Sequence, residues 1–434
     1  MLRTENQRKL SNYKHGLDYA KEQDKLDELS HYRQQFHIPK DKQGNDLIYL
    51  CGNSLGLQPK STKTYINQEL EDWANLGVEG HTDAKHPWLP YHEFLTEATA
   101  KVVGAKPIEV VTMNTLTTNL HLMMVSFYKP TKKRYKILIE SDAFPSDKFA
   151  VESQLRHHGY DDKEGLILWK PREGEELLRY EDLESIMQNH GDEIALIMIG
   201  GVNYYTGQFF DFKRITELGH KHGCKVGFDC AHGAGNVDLD LHNSGADFAV
   251  WCTYKYMNSG PGSLGGCFIH ERHAHDKNLN RFTGWWSHNK QTRFKMRDEF
   301  DVIPGAEGWQ LSNPPILSMA AIRASLDMFN EVGIQKLIQK SKKLTGYLEF
   351  LLKDLGADTI RVITPEDPKQ RGCQLSLQVI NADKSLYDEL TEAGVISDWR
   401  EPDVIRIAPV PLYNSFEDVY LLVDKLKKVL ENKS

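Results

Sequence analysis

The chain has 434 residues, with 53 Lys and Arg against 61 Asp and Glu, for a formal net charge of −8. Hydrophobic residues make up 40% and charged residues 26%, the balance of a folded globular chain rather than a disordered one. That length suits two domains, and the mild acidity argues against nucleic acid or an anionic membrane as the main partner.

Residues 1–45 are polar and helical in pattern, with Leu10, Leu17, Tyr19, Leu26 and Leu29 spaced for a shallow apolar face. The opening residues lack the apolar core of a signal peptide. No apolar run approaches the roughly 18 residues that span a bilayer, so a cytoplasmic location is expected. Helices are expected over 61–80 and over Tyr91–Val103. From about 108 to 270, short apolar runs alternate with longer amphipathic stretches, the pattern of a mainly parallel sheet with crossover helices. Val110–Met113, Lys136–Glu140, Ile194–Ile199, Lys225–Phe228 and Phe248–Cys252 read as strands, and Tyr180–Asn189 and Arg214–His222 as crossover helices. Pro304–Pro315 leads into a helix over Ile316–Val332. There follow a helix (Ile334–Leu355), a strand (Gln374–Val379), a helix (Lys384–Ala393), a strand (Val404–Ala408) and a closing helix (Phe416–Glu431). Ser415 and Asp418 have the spacing of a capping box at the start of the last helix.

In open α/β sheets, ligands sit beyond the carboxyl ends of the strands. The residues there are rich in chemistry. Lys136–Glu140 runs into Ser141-Asp142-Ala143-Phe144-Pro145-Ser146-Asp147, and Ile194–Ile199 into Gly200-Gly201-Val202-Asn203-Tyr204-Tyr205-Thr206-Gly207. Lys225–Phe228 runs into Asp229-Cys230-Ala231-His232, and Phe248–Cys252 into Thr253-Tyr254-Lys255. An amine and a carboxylate at strand ends fit pyridoxal phosphate (PLP). Lys255 would form the Schiff base, Asp229 would face the pyridinium nitrogen, and the apolar flank of Lys255 would favour imine chemistry. A buried ion pair without a cofactor is the alternative. Thr115-Leu116-Thr117-Thr118-Asn119 opens a helix after Val110–Met113 and could bind phosphate, or simply cap that helix. Phe144 could stack on a ring or pack in the core, with Asp147 and His232 in reach of polar groups.

Gly260-Pro261-Gly262-Ser263-Leu264-Gly265 fits GxGxxG, but it comes late in the sheet, contains Pro and precedes no clear helix. It is expected instead to let the backbone pass close to a cofactor. The pairs His157-His158, His220/His222 and His273/His275 lack matched ligands and read as surface residues, so no metal is expected. The six cysteines (Cys51, Cys224, Cys230, Cys252, Cys267 and Cys373) form no CxxC pair and read as reduced core residues. Arg406 is a lone charge in an apolar strand, able to close an ion pair or to grip a substrate carboxylate.

Taken together, Tyr49-Leu50-Cys51-Gly52-Asn53-Ser54-Leu55-Gly56, the MNTLTTNLH run from Met113, DAFPSD, NYYTGQ, DCAHGAGN, TYKYMNSGPG and RIAPVPLYNS resemble the kynureninases. The resemblance runs from about residue 15 to 430. It implies a PLP-dependent transferase-like fold of type I, an α/β large domain with a mainly parallel sheet plus a smaller α+β C-terminal domain. The division implied is 1–50 as an N-terminal segment packing with the small domain, 51–310 as the large PLP-binding domain and 311–434 as the small domain. It also implies hydrolysis of the Cβ–Cγ bond of L-kynurenine or 3-hydroxy-L-kynurenine, giving L-alanine and anthranilate or 3-hydroxyanthranilate. Lys255 would carry the cofactor, and Tyr254 would touch its phosphate and relay protons. Leu116, Thr117, Phe144, Pro145, Ser146, Asp147, Asp229 and His232 would complete the cofactor site. Trp285 and Asn313 would come from the second subunit of a homodimer. Arg406 would hold the substrate carboxylate, and His81 and Asn313 would lie near its aromatic end. His81 and the Ser312-Asn313 pair resemble the forms that favour the 3-hydroxy substrate. Rival readings are a cysteine desulfurase or aminotransferase of the same fold, a PLP-binding regulatory protein and a nucleotide-binding oxidoreductase. A desulfurase would need a reactive cysteine near the C-terminal domain, where only Cys373 stands, at the start of an expected strand.

Overall fold

The computed structural model describes residues 13–356, 358–380 and 383–431, so Leu10 lies outside the described residues. A two-residue strand β1 (Ile48–Tyr49) precedes the main sheet. That sheet contains β2 (Val110–Met113), β3 (Lys136–Glu140), β4 (Leu166–Trp169), β5 (Ile194–Gly200), β6 (Lys225–Asp229), β7 (Phe248–Cys252) and β8 (Gly265–Ile269), in the order β2-β8-β7-β6-β5-β3-β4. Its core from β7 to β4 is parallel. The apolar run Ile194–Ile199 is buried throughout, as a strand covered on both faces must be.

β8 runs antiparallel to both of its neighbours, β2 and β7. No crossover helix separates it from β7, so the chain must fold straight back. The glycine-rich turn between them holds Gly260 at φ +96° and Gly262 at φ +67°, and that conformation explains the glycines there. The tight approach lies further on. A Cβ on Gly265 would press on the Trp251 carbonyl and the Leu116 amide.

The smaller sheet is antiparallel, with β9 (Ile360–Val362), β10 (Leu375–Val379), β12 (Asp398–Arg400) and β13 (Val404–Ile407) in the order β12-β13-β10-β9. β1 pairs in parallel with β11 (Val395–Ile396) beside it. Ala20, Ile48 and Leu50 join the core of this sheet, whereas Leu29, Tyr32 and Phe36 join the core under the large sheet. Helix Ile316–Val332, counted by the sequence with the small domain, packs on helices Thr62–Leu76 and Glu93–Val103 and belongs to the larger core. The helix expected over 61–80 ends at Leu76, because Gly77 turns to φ +56°. The capping box at the last helix is present. Asp418 N donates to Ser415 Oγ at 3.0 Å, and Ser415 N to Asp418 Oδ2 at 3.1 Å.

At the amino ends of β6 and β7, the buried carboxylate of Asp247 accepts five hydrogen bonds. They come from Lys225 Nζ (3.1 Å), Arg272 Nη2 (3.0 Å), His273 Nε2 (2.8 Å), His220 Nε2 (2.9 Å) and Val226 N (2.9 Å). His273 is therefore a buried anchor and not the surface residue its spacing implies, and His220 is tied to the same group. No helix among the described residues is long and apolar enough to cross a membrane.

Candidate active site

At the opposite, carboxyl end of the sheet, the strand ends converge on a cavity of about 190 Å³. Lys255 and Tyr254 enter it after β7, Asp229 as the last residue of β6 with His232 just beyond, and Phe144, Ser146 and Asp147 after β3. Leu116 and Thr117 enter from the start of helix Leu116–Phe127. Pro145 sits between two lining residues as the first residue of helix Pro145–His157, a position suited to a residue without an amide proton. The Thr117 and Ser146 hydroxyls lie 2.9 Å apart, so the starts of these two helices meet. Free N–H groups and hydroxyls at two helix starts are the chemistry that binds a phosphate. Thr115 makes no side-chain cap here.

Lys255 Nζ lies 3.0 Å from His232 Nε2 and 5.8 Å from the centre of the Phe144 ring. Burial, and then the nearby Lys255 charge, hold the His232 imidazole well below its ordinary range, so it is neutral and accepts at Nε2. The Asp229 carboxyl accepts from Ala231 N at 2.7 Å and interacts by hydrogen bond with the Asp147 carboxyl. Burial holds both above the ordinary carboxyl range, and the charge of Asp229 raises Asp147 further. The apolar flank of Lys255 is thus only part of its setting, since two carboxyls and an imidazole face it. Behind it, Gly56 N donates to the Tyr254 carbonyl at 2.8 Å, and any side chain on Gly56 would collide with the Lys255 carbonyl.

Glu140, Val202 and Tyr204 also line the cavity, though the sequence assigned them no role there. Glu140 is the last residue of β3, fully buried, and accepts from Gly200 N at 3.0 Å. Burial pushes its carboxyl up to about 7. Tyr204 stands edge-on to Phe144, with centroids 5.3 Å apart, and Val202 lies beside it. The loop that carries Tyr204 is held from the smaller sheet. The Tyr204 carbonyl accepts from Arg406 Nη1 (2.8 Å) and Gln374 Nε2 (3.1 Å), the Tyr205 carbonyl from Ser376 Oγ (2.5 Å), and the Thr206 carbonyl from Thr364 Oγ1 (2.6 Å).

Arg406 is buried and paired with Asp398, so the ion-pair reading of this residue is realised. Trp285, Asn313 and His81 do not line the cavity of their own chain. Trp285 is exposed and donates to the Arg293 carbonyl, Asn313 is exposed, and His81 Nδ1 meets the Val78 carbonyl at 2.9 Å.

The cavity fits PLP on two further observations. His232 Nδ1 and Asp147 Oδ1 are buried without hydrogen-bond partners, and both residues line the cavity. The hydrogen-bonded Asp229 and Asp147 carboxyls suit a protonated ring nitrogen.

The family profile "Kynureninase C-terminal domain" matches residues 337–426. A kynureninase of Myxococcus xanthus is 59% identical over 94% of this chain and 96% of its own length. One from Flavobacterium psychrophilum is 54% identical over 97% and 100%, and one from Nematostella vectensis 48% over 94% and 93%. Among solved structures, a cysteine desulfurase of Thermococcus onnurineus superposes with a TM-score of 0.74 at 17% identity, covering 91% of this chain and 99% of its own. A C-DES variant with glycine covalently linked to its PLP cofactor gives 0.75 at 17%, covering 91% and 98%. These structural likenesses establish the fold.

Proposed function

The chain belongs to the kynureninase family, and on that premise we propose how its residues carry out PLP-dependent hydrolysis of the Cβ–Cγ bond of L-kynurenine or its 3-hydroxy form. The observation that carries the assignment of roles is the meeting of Lys255, Asp229, His232 and Phe144 in one cavity. When bound, PLP supplies an electron sink that makes the substrate's Cα–H acidic and its side-chain carbonyl open to cleavage.

Lys255 would hold the cofactor through Nζ and would serve as the base for the substrate's Cα proton. Asp229, backed by Asp147, would keep the ring nitrogen protonated. Phe144 would pack against the ring, and the helix starts at Leu116 and Thr117, with Ser146, would hold the phosphate. Burial, and then Cys252, raise the Tyr254 phenol, so it carries its proton at neutral pH and can donate it to phosphate or substrate. Arg406 grips the α-carboxylate of the substrate.

The same reading makes the protein a cytoplasmic homodimer, with Trp285 and Asn313 completing the partner's cavity and His81 and Asn313 near the substrate ring. Three features support it. Those residues stay out of their own cavity, Phe282, Trp285, Phe294, Met296 and Phe300 are exposed within one stretch of chain with the Trp285 and Phe294 rings in contact, and the six cysteines are free. Within it, Ala20, Ile48 and Leu50 go with the small domain, while Leu29, Tyr32 and Phe36 go with the large one. His81 and the Ser312-Asn313 pair resemble the forms that favour the 3-hydroxy substrate. Desulfurase chemistry is disfavoured because Cys373 is fully buried and burial raises its thiol far above the reactive range.

The test is the absorbance of the purified protein with PLP, followed by alanine release from L-kynurenine and 3-hydroxykynurenine in separate reactions. Alanine from either substrate supports the reading and the rate ratio sets the preference. An imine band without alanine would leave the fold and cofactor in place and overturn the substrate.

A further inference from the structure

Arg406 on β13 stands directly opposite Asp398 on β12 and Ser376 on β10. Asp398 takes its guanidinium from the side, with Nε to Oδ1 at 3.1 Å and Nη2 to Oδ2 at 2.8 Å. The Tyr204 carbonyl takes a third N–H, from Nη1, at 2.8 Å. A guanidinium carries five N–H groups, so one remains on each terminal nitrogen. Set on the two terminal nitrogens, they can meet a carboxylate end-on, as a fork of two parallel hydrogen bonds. Arg406 stands behind the cavity wall, its guanidinium carbon 5.9 Å from the centre of the Tyr204 ring, which lines the cavity. Asp398 also binds Arg400, whose Nε lies 3.0 Å from Oδ1. Two arginines around one aspartate leave a single net positive charge, matched to a single incoming carboxylate.

We infer that Asp398 is a positioning residue for substrate recognition, holding Arg406 from the side so that its end-on fork faces the substrate's α-carboxylate. This rests on the carboxylate-binding role of Arg406 proposed above. Charge and position pull in opposite directions, which makes the inference testable. Removing the Asp398 charge adds net attraction for an anion, so a carboxylate held by charge alone would bind more tightly. A carboxylate held by an oriented fork binds more weakly, because the long arginine side chain loses its fixed geometry.

The experiment uses PLP-loaded protein and two probes: L-alanine, and ethylamine as the same skeleton without the carboxylate. Their dissociation constants are read from the cofactor absorbance, beside KM and kcat for L-kynurenine. For Asp398→Asn, L-alanine binding should weaken and KM should rise by roughly tenfold, with kcat little changed and ethylamine binding unaltered. Unchanged or tighter L-alanine binding, or an equal loss for both probes, would overturn the inference. Arg406→Gln separates it from the reading beneath it. If Arg406→Gln erases the preference for alanine over ethylamine while Asp398→Asn keeps it, only the positioning role fails. If Arg406→Gln leaves the preference intact, the carboxylate role of Arg406 fails as well. Should Asp398→Asn not fold, Arg400→Gln takes its place, because that side chain is 36% exposed. A several-fold loss confined to L-alanine is then expected, and equal losses for both probes overturn the inference.

Discussion

Lys255 Nζ lies 3.0 Å from Nε2 of His232, and that imidazole is neutral because it is buried beside the ammonium. The amine is thereby held by an acceptor that adds no second charge to a site already containing the Glu140, Asp147 and Asp229 carboxyls. Lys255→Ala should lower alanine release by at least about a thousandfold while the protein remains folded. Stopped alanine release with an unchanged far-UV spectrum is the expected result. Retained turnover with bound PLP would remove Lys255 from the mechanism.

Glu140 sets a pH dependence of the cofactor-free protein. Its carboxyl is raised from 4.5 to about 7, so between those values the folded state keeps a proton that the unfolded state has released. Stability from this group therefore falls as pH rises across that window. Glu140→Gln should flatten that fall, gaining up to about 3 kcal/mol at pH 8 relative to its effect at pH 4. Urea unfolding at the two pH values checks this, and equal effects at both would contradict it.

Asp247 works at the far end of the same strands. Against burial, its hydrogen bonds and the nearby Lys225 and Arg272 charges hold its carboxyl well below the usual range, so the stability it contributes is present above the ordinary aspartate pKa and is lost progressively as pH falls below it. Asp247→Asn leaves the partly exposed Lys225 and Arg272 facing a neutral group and should cost about 1–3 kcal/mol. Thermal melts give that number. Because the site lies at the other end of the sheet, kcat of the folded fraction should change little.

Subunit sharing of the site is tested by mixing two inactive variants. Trp285→Ala protein and Lys255→Ala protein, dissociated and reassociated together, should recover about a quarter of wild-type activity, since half of the dimers would hold one intact site. No recovery, with reassociation verified by mass, would place Trp285 outside the partner's cavity.

What the sequence made legible was the strand-end chemistry. Lys255, Asp229, His232 and Asp147 each follow an apolar run whose length and β-branched content mark a buried strand, and the sheet topology then brings them together. Glu140 was visible by the same rule, as the charged last residue of KILIE, but a strand's final residue reads as solvated until its neighbour strand is known. The antiparallel β8 was hidden because Gly265 and Gly266 carry little strand propensity; they are small because Trp251 fills the space beside them. His273 looked exposed because its ligand, Asp247, is 26 positions away in sequence. The partner of Arg406 was equally out of reach, since Asp398 lies on a three-residue strand with no periodicity to read.

The hold of Thr364, Gln374, Ser376 and Arg406 on the carbonyls of Tyr204, Tyr205 and Thr206 also bears on how the protein is made. Every strand of the large sheet has been synthesised by residue 269, yet the Tyr204 wall of its cavity is fastened by residues that leave the ribosome later. A nascent chain can assemble the sheet and present Lys255 before it can close the pocket around a cofactor. A chain truncated before Arg406 would carry the reactive lysine without that hydrogen bond to the wall beside it.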